Sequence, residues 1–247
     1  MPLLIEDLEP AVQEFLDEGV ITELLQVIKS GKEAVAFLCR AHPSLGAPYV
    51  VAKVYHERKH RNFARSTAYQ DGRVILNGQV RRAVEKKTEL GRDMEGAMWV
   101  DHEFETLSAL HYAGADVPEP FFATERVILM AYIGDPDSPA PQLQHARLDP
   151  ADAPQLFERL LWNVELFLAN NIVHGDLSAF NVLVHGRVPV VIDFPQAVDP
   201  RFNAHARTLL ERDVANIGKY FARYGIEFDP GRHAASLWRR WRFGELG

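Results

Sequence analysis

Residues 172–195 read IVHGDLSAFNVLVHGRVPVVIDFP, and the rest of the chain is read outward from them. Two apolar runs, Val182-Leu183-Val184 and Val188 to Ile192, flank His185-Gly186-Arg187. Glycine between such runs predicts a tight hairpin. Pro189, near the start of the second run, suits a strand end or edge. His174-Gly175-Asp176-Leu177-Ser178-Ala179-Phe180-Asn181 precedes the first run, and Asp193-Phe194-Pro195 closes the second. A hairpin returns the chain beside its own start, so Asp176, Asn181 and Asp193 are expected to converge at its open end. Phosphoryl transfer uses such a set: one Asp for the attacking hydroxyl, and an Asn with a second Asp for Mg2+.

Immediately upstream, Gln155 to Asn170 carries Leu156, Leu160, Val164, Phe167 and Leu168 at helical spacing. Before that helix, residues 133–143 (IGDPDSPAPQL) are rich in Pro, Asp and Gly and mark a hinge or linker. They separate residues 1–132, read as antiparallel strands plus a helix, from the mainly helical 144–247. In that second part Ala204 to Tyr224 and Ala234 to Phe243 are further predicted helices.

In the first part Glu6 to Glu18 reads as a helix with Gly19 as its stop. Strands are expected over Ile21 to Ile28, Ala34 to Cys39, Tyr49 to Tyr55, Phe121 to Ala123 and Arg126 to Tyr132. Alternation in Tyr49–Tyr55 puts Val50, Ala52 and Val54 on one face and Val51, Lys53 and Tyr55 on the other. A lysine in so apolar a strand is an edge residue in solvent or has a dedicated partner. Gly96 to Tyr112 reads as a helix with Trp99, Leu107 and Leu110 along a stripe. Glu103 lies four residues from both Trp99 and Leu107, so its carboxylate falls on that stripe and is the natural mate for Lys53. The turn Lys29-Ser30-Gly31-Lys32-Glu33 is either a bare polar hairpin or a loop that folds over phosphates. It is not a Walker A loop, because the first glycine is missing and Glu33 stands where a hydroxyl would bind Mg2+.

The chain has 247 residues with a net charge of −7, which argues against a general nucleic-acid coat protein. Residues 58–92 run the other way, with ten Lys or Arg against three Asp or Glu. That stretch is either a solvated face or a guide for a polyanionic partner. Cys39 is the single cysteine, which rules out an internal disulfide and fits a reducing compartment. The first residues do not read as a signal peptide, and no run approaches the ~18 apolar residues of a membrane span. A cytoplasmic location without membrane contact is expected.

Taken together, Ser30-Gly31-Lys32-Glu33-Ala34, Lys53, Glu103-Phe104, Met130-Ala131-Tyr132-Ile133-Gly134 with Pro139-Ala140-Pro141, the stretch His174 to Asn181, Ile192-Asp193-Phe194-Pro195-Gln196 and Arg212-Asp213-Val214-Ala215-Asn216-Ile217 resemble the RIO family of atypical protein kinases and ATPases. The resemblance implies an α+β, bilobal kinase-like fold with an antiparallel N-lobe and a short, mostly helical C-lobe. It implies ATP with Mg2+, or Mn2+ in its place. Lys53, held by Glu103, would bind phosphates together with Ser30 and Lys32. Met130, Tyr132 and Ile133 would form the hinge against adenine, with Leu183 and Ile192 as its apolar floor. Asp176 would orient the attacking hydroxyl, while Asn181 and Asp193 would hold the metal. Family likeness also implies that Asp193 itself can be phosphorylated during ATP hydrolysis. His174 reads as a structural hydrogen-bonding residue, and Asp213 and Asn216 as braces for the catalytic loop. Pro195 stands where ordinary protein kinases have glycine, so a large flip of Asp193 is not expected.

The implied partners are ATP and a protein substrate, this chain itself included, with ribosome or RNA contact through residues 58–92. Two alternatives accompany this reading. One is an ATP-gated factor for ribonucleoprotein assembly. The other is a small-molecule kinase of the aminoglycoside or choline type, against which the SGKEA turn and the short C-lobe speak.

Overall fold

The computed structural model describes residues 9–56 and 89–246, with backbone alone for 9 and 89–98. They fall into two compact units: 9–56, 89–105 and 119–132 in the first, and 106–118 with 133–246 in the second. Among them no helix is long and apolar enough to cross a membrane.

The first unit is a five-stranded antiparallel sheet. Its strands are β1 (Ile21–Ser30), β2 (Ala34–Ala41), β3 (Tyr49–Tyr55), β4 (Pro120–Ala123) and β5 (Val127–Ala131), in the order β1-β2-β3-β5-β4. The alternation in β3 holds. Val50, Ala52 and Val54 are fully buried among Val35, Phe37, Cys39 and Leu129, and Val12 and Phe15 of helix α1 (Glu9–Asp17) cover that face. Burial pushes the Cys39 thiol up to about 12, so it packs as a small apolar group. The opposite face buries Tyr55 and Ile128 against Val100 of helix α2 (Glu89–Tyr112). Helix α2 begins seven residues before the expected Gly96. The apolar stripe starts only at Trp99, and the residues ahead of it, Gly91 among them, lack that periodicity.

In the second unit residues 133–143 are ordered. They form a small hairpin, β6 (Gly134–Asp135) and β7 (Ser138–Pro139), and then run beside β8 (Val182–His185). Strand β8 pairs with β9 (Val188–Val191) around Gly186, whose φ of +61° suits glycine at the turn. Strand β9 stops one residue short of the expected Ile192, because Asp193 leaves the extended region with φ +74°. Helix α3 (Ala153–Ala169) packs on β9, and α4 (Ala206–Phe221) and α5 (Pro230–Arg242) pack on α3 and on each other. Leu156, Leu160, Phe167 and Leu168 of α3 are buried, as are Val214, Ile217 and Phe221 of α4.

Close packing fixes one glycine in α4. A Cβ on Gly218 would stand 2.8 Å from Cδ1 of Phe228, whose ring meets Phe157 edge-on at 5.0 Å. Alanine favours a helix over glycine by about 1 kcal/mol, but overpacking costs about 1–3 kcal/mol. Gly218→Ala is therefore expected to lower the urea unfolding midpoint. In a Phe228→Leu background the same change should be neutral or stabilising. A rise in stability in the wild-type background would remove the clash from the account.

Candidate active site

The first unit places Lys53 and Glu103 together as the pattern implies. Nζ of Lys53 lies 2.7 Å from Oε1 of Glu103. The lysine side chain is 15% exposed and the carboxylate 3%. Lys53 pairs with Ile128 in β5 and with Ala36 in β2, so it projects from the face that α2 covers. Its ammonium also lies 5.0 Å from the ring centroid of Tyr55, two residues on and on the same face.

The turn between β1 and β2 is tied to the end of this strand. The N–H of His56 donates to Glu33 O at 2.9 Å, and its Nε2 donates to Gly31 O at 3.0 Å. Ser30 and Lys32 are exposed on that turn. Met130 pairs with Val51, while Tyr132 meets Tyr49 edge-on at 6.1 Å, and both are half-buried. Ile133, the first residue of the second unit after Tyr132, accepts the Ala140 N–H at 3.0 Å.

The second unit brings the hairpin's ends together. Ile192 N–H donates to Asn181 O at 3.0 Å, which sets Asn181 one residue across from Asp193. Asn181 is buried, and its Nδ2 donates to Asp176 O at 2.9 Å. The amide nitrogen is thereby engaged and Oδ1 is its remaining acceptor. Leu183 and Ile192 are half-buried beside it in sequence. Asp193 sits at positive φ, a conformation that Asp tolerates better than most residues but that costs strain. Phe194 holds it there. The Phe194 ring is fully buried, 4.6 Å from His174 and 5.6 Å from Phe167.

Asp176 is exposed, but its backbone is fixed on both sides. Oδ2 of Asp213 accepts the Gly175 N–H at 2.7 Å, and Oδ1 accepts the Leu177 N–H at 2.9 Å. Asn216, one turn along α4, donates to Leu177 O at 2.9 Å. His174 joins the loop to the residue after β9. Its Nε2 meets Ile192 O at 3.2 Å, and its Nδ1 meets the Asp176 N–H at 3.3 Å. A carbonyl only accepts and an N–H only donates, so the neutral ring carries its proton on Nε2. Such a ring positions, as its sequence context implied.

Burial pushes the Asp213 carboxyl up to about 7 and the Asp176 charge adds to that, against the two backbone donors and Arg212, which pull it down.

A second brace was absent from the sequence reading. Asp116 O accepts the Val191 N–H at 2.8 Å, at the end of β9. The Asp116 carboxylate takes a two-toothed contact from Arg159, at 2.6 and 3.0 Å, and a bond from Asn163 Nδ2 at 2.7 Å. Asn163 Oδ1 in turn accepts the Asp116 N–H. Asn163 is fully buried on the apolar side of α3, and a polar residue three after Leu160 on that stripe was the available signal.

Residues 58–92, read as a ribosome or RNA contact, lie outside the described residues except for the backbone of 89–92.

A family model described as the RIO domain matches residues 39–233. Among curated proteins, the RIO-type serine/threonine-protein kinase Rio1 of Thermoplasma acidophilum is 36% identical over 135 residues, covering 55% of this chain and 69% of that protein. The Rio1 of Methanocaldococcus jannaschii is 31% identical over 210 residues, covering 84% and 66%. The human serine/threonine-protein kinase RIO1 is 29% identical over 218 residues, covering 86% of this chain but 36% of its own length. The matches thus span about two thirds of the archaeal relatives and about a third of the human one. Among solved structures, the Rio2 kinase of Chaetomium thermophilum in an ADP/Mg2+-phosphoaspartate complex superposes with a TM-score of 0.70 at 20% identity, covering 96% of this chain and 67% of that one. That likeness shows the kinase-like α+β fold.

Asp213→Asn puts an NH2 against a backbone N–H and is expected to cost about 1–3 kcal/mol near pH 5. The folded carboxyl titrates near 7 against an ordinary 3.8. Protonation therefore stabilises wild type fully below the lower value, and that contribution is lost as pH rises through the upper one. Asparagine does not titrate, so the variant's deficit should shrink from about pH 5 to about pH 8 in urea unfolding. A deficit that stays constant over this range would mean the carboxylate is ionised throughout.

Proposed function

The chain belongs to the RIO domain family, and from that premise we propose that it transfers the γ-phosphoryl group of ATP, with Mg2+, to a protein serine or threonine, with water as the alternative acceptor. The carrying observation is that Asn181 is bonded to the backbone of both Asp176 and Ile192, the neighbour of Asp193, at the open end of one braced hairpin. The relatives named as serine/threonine kinases support the acceptor class.

Lys53 answers the need for a fixed cation on the phosphates. Glu103, 2.7 Å away, aims its ammonium. Ser30 and Lys32 add a hydroxyl and a second cation from the exposed turn. Met130, Tyr132 and Ile133 supply backbone and half-buried side chains for the adenine edge, with Leu183 and Ile192 as apolar surface.

The donor set suits Mg2+, a hard cation that takes oxygen ligands. Asn181 offers Oδ1, its nitrogen being engaged, and Asp193 offers a carboxylate held at one backbone angle. When bound, the metal neutralises charge on the phosphates. Asp176 would accept the proton of the attacking hydroxyl. Its orientation comes from the braced peptides on either side, so it needs little reorganisation when substrate arrives.

Asp193 carries the choice between acceptors. The Rio2 kinase solved as a phosphoaspartate complex supports a route in which Asp193 takes the phosphoryl group, ADP leaves and water then hydrolyses the acyl phosphate.

Asp176→Asn is expected to lower Mg2+-dependent ATP turnover by about 10²–10⁴-fold, and Lys53→Met by about 10²–10³-fold. Asp193→Asn should remove both turnover and any hydroxylamine-labile phosphate on the protein. Full turnover in Asp176→Asn, or none in wild type with Mg2+ or Mn2+, would reject the reading.

A further inference from the structure

We propose that Gln142 is a positioning residue for Asn181, holding the peptide plane from which this candidate metal ligand projects. The inference rests on the Mg2+-ATP reading above. Residues 133–143 have the composition of a linker, yet their second half behaves as a third strand beside β8. Val184 N–H donates to Pro141 O at 2.9 Å, and Leu143 N–H donates to Val182 O at 2.7 Å. Gln142 forms the bridge opposite Leu183. Beyond the start of β8 the segment continues along the catalytic loop, where Gln144 N–H donates to Ala179 O at 2.9 Å. The segment is itself anchored, because Leu143 is fully buried and its carbonyl accepts the Tyr220 hydroxyl at 2.6 Å.

From this fixed base Nε2 of Gln142 donates to Phe180 O at 2.6 Å. That carbonyl belongs to the peptide whose nitrogen is Asn181 N. The N–H side of the same peptide donates to Ser178 O at 2.9 Å. Both polar ends of the plane are therefore held, one from inside the loop and one by a side chain from outside it. The rest of Asn181 is held as well, its carbonyl by Ile192 and its Nδ2 by Asp176 O. Rotation of the Phe180–Asn181 plane is the freedom that would carry Oδ1 away from Asp193, and Gln142 resists it. A residue that acts this way affects the metal more than the nucleotide. It also leaves the hydroxyl-orienting Asp176, braced separately by Asp213, in place.

The test compares the full chain with Gln142→Met, which keeps the length without a donor or a new charge, and with Gln142→Ala. ATP turnover is measured against Mg2+ concentration, nucleotide affinity is measured in EDTA, and urea unfolding serves as the fold control. Loss of the bond is expected to raise the half-saturating Mg2+ concentration about five- to tenfold in both variants. The turnover number at saturating Mg2+ should stay within about twofold, and affinity in EDTA should not change. An unshifted Mg2+ dependence overturns the inference. So does a fall in turnover at saturating Mg2+ without a shift, which would mark a general structural role. Wild type without Mg2+-dependent turnover would instead reject the phosphoryl-transfer reading, and this inference with it.

Discussion

The carboxylate of Asp213 accepts the N–H of Gly175 with one oxygen and that of Leu177 with the other, and the place of Asp176 between them follows from those two bonds. The group is fully buried, so either donor left without it would be stranded away from water, at a cost comparable to the desolvation of a polar group. Asn216 repeats the hold one helical turn later, on Leu177 O. Helix α4, itself packed through Val214, Ile217 and Phe221, thus fixes the backbone of a loop whose key side chain is exposed. His174 extends the arrangement to Ile192, next to Asp193. A rigid helix sets the loop, and the loop sets the end of β9.

The first unit solves a different problem. Lys53 and Glu103 are placed on an otherwise apolar face where two charges are expensive to desolvate. A buried ion pair is weak evidence for stability, since well-packed apolar residues of similar volume often do as well or better. Its presence beside Tyr55, Ile128 and Val100 is better explained by a need for a cation of fixed position than by a need for a stronger core. Glu103 supplies the opposite charge that a buried ammonium requires.

Much of this was legible because it was written in short-range patterns. The alternation of Tyr49–Tyr55 gave the facing of Lys53, and the spacing Trp99–Glu103–Leu107 gave its partner. Gly186 between two short apolar runs gave the hairpin. What stayed hidden depends on contacts between segments far apart in sequence. Nothing local in Pro139-Ala140-Pro141-Gln142 says that the glutamine reaches the carbonyl of Phe180. Asp116, in a loop between two elements, carries no mark of its bonds to Arg159 and Asn163. Asn163 did leave a trace, as a polar residue on the stripe of α3. The early start of α2 left none, because its first turns lack the apolar periodicity by which Gly96 to Tyr112 was recognised.

The bonds from Asp213 tie the loop's durability to that of the helix. The amide protons of Gly175 and Leu177 point at a carboxylate that solvent does not reach, so small loop motions do not expose them to exchange with water. They become labile when α4 and its neighbours open together. Order in the catalytic loop and order in the core of the second unit are then lost in one cooperative event, and partial melting confined to the loop is not a state this arrangement favours.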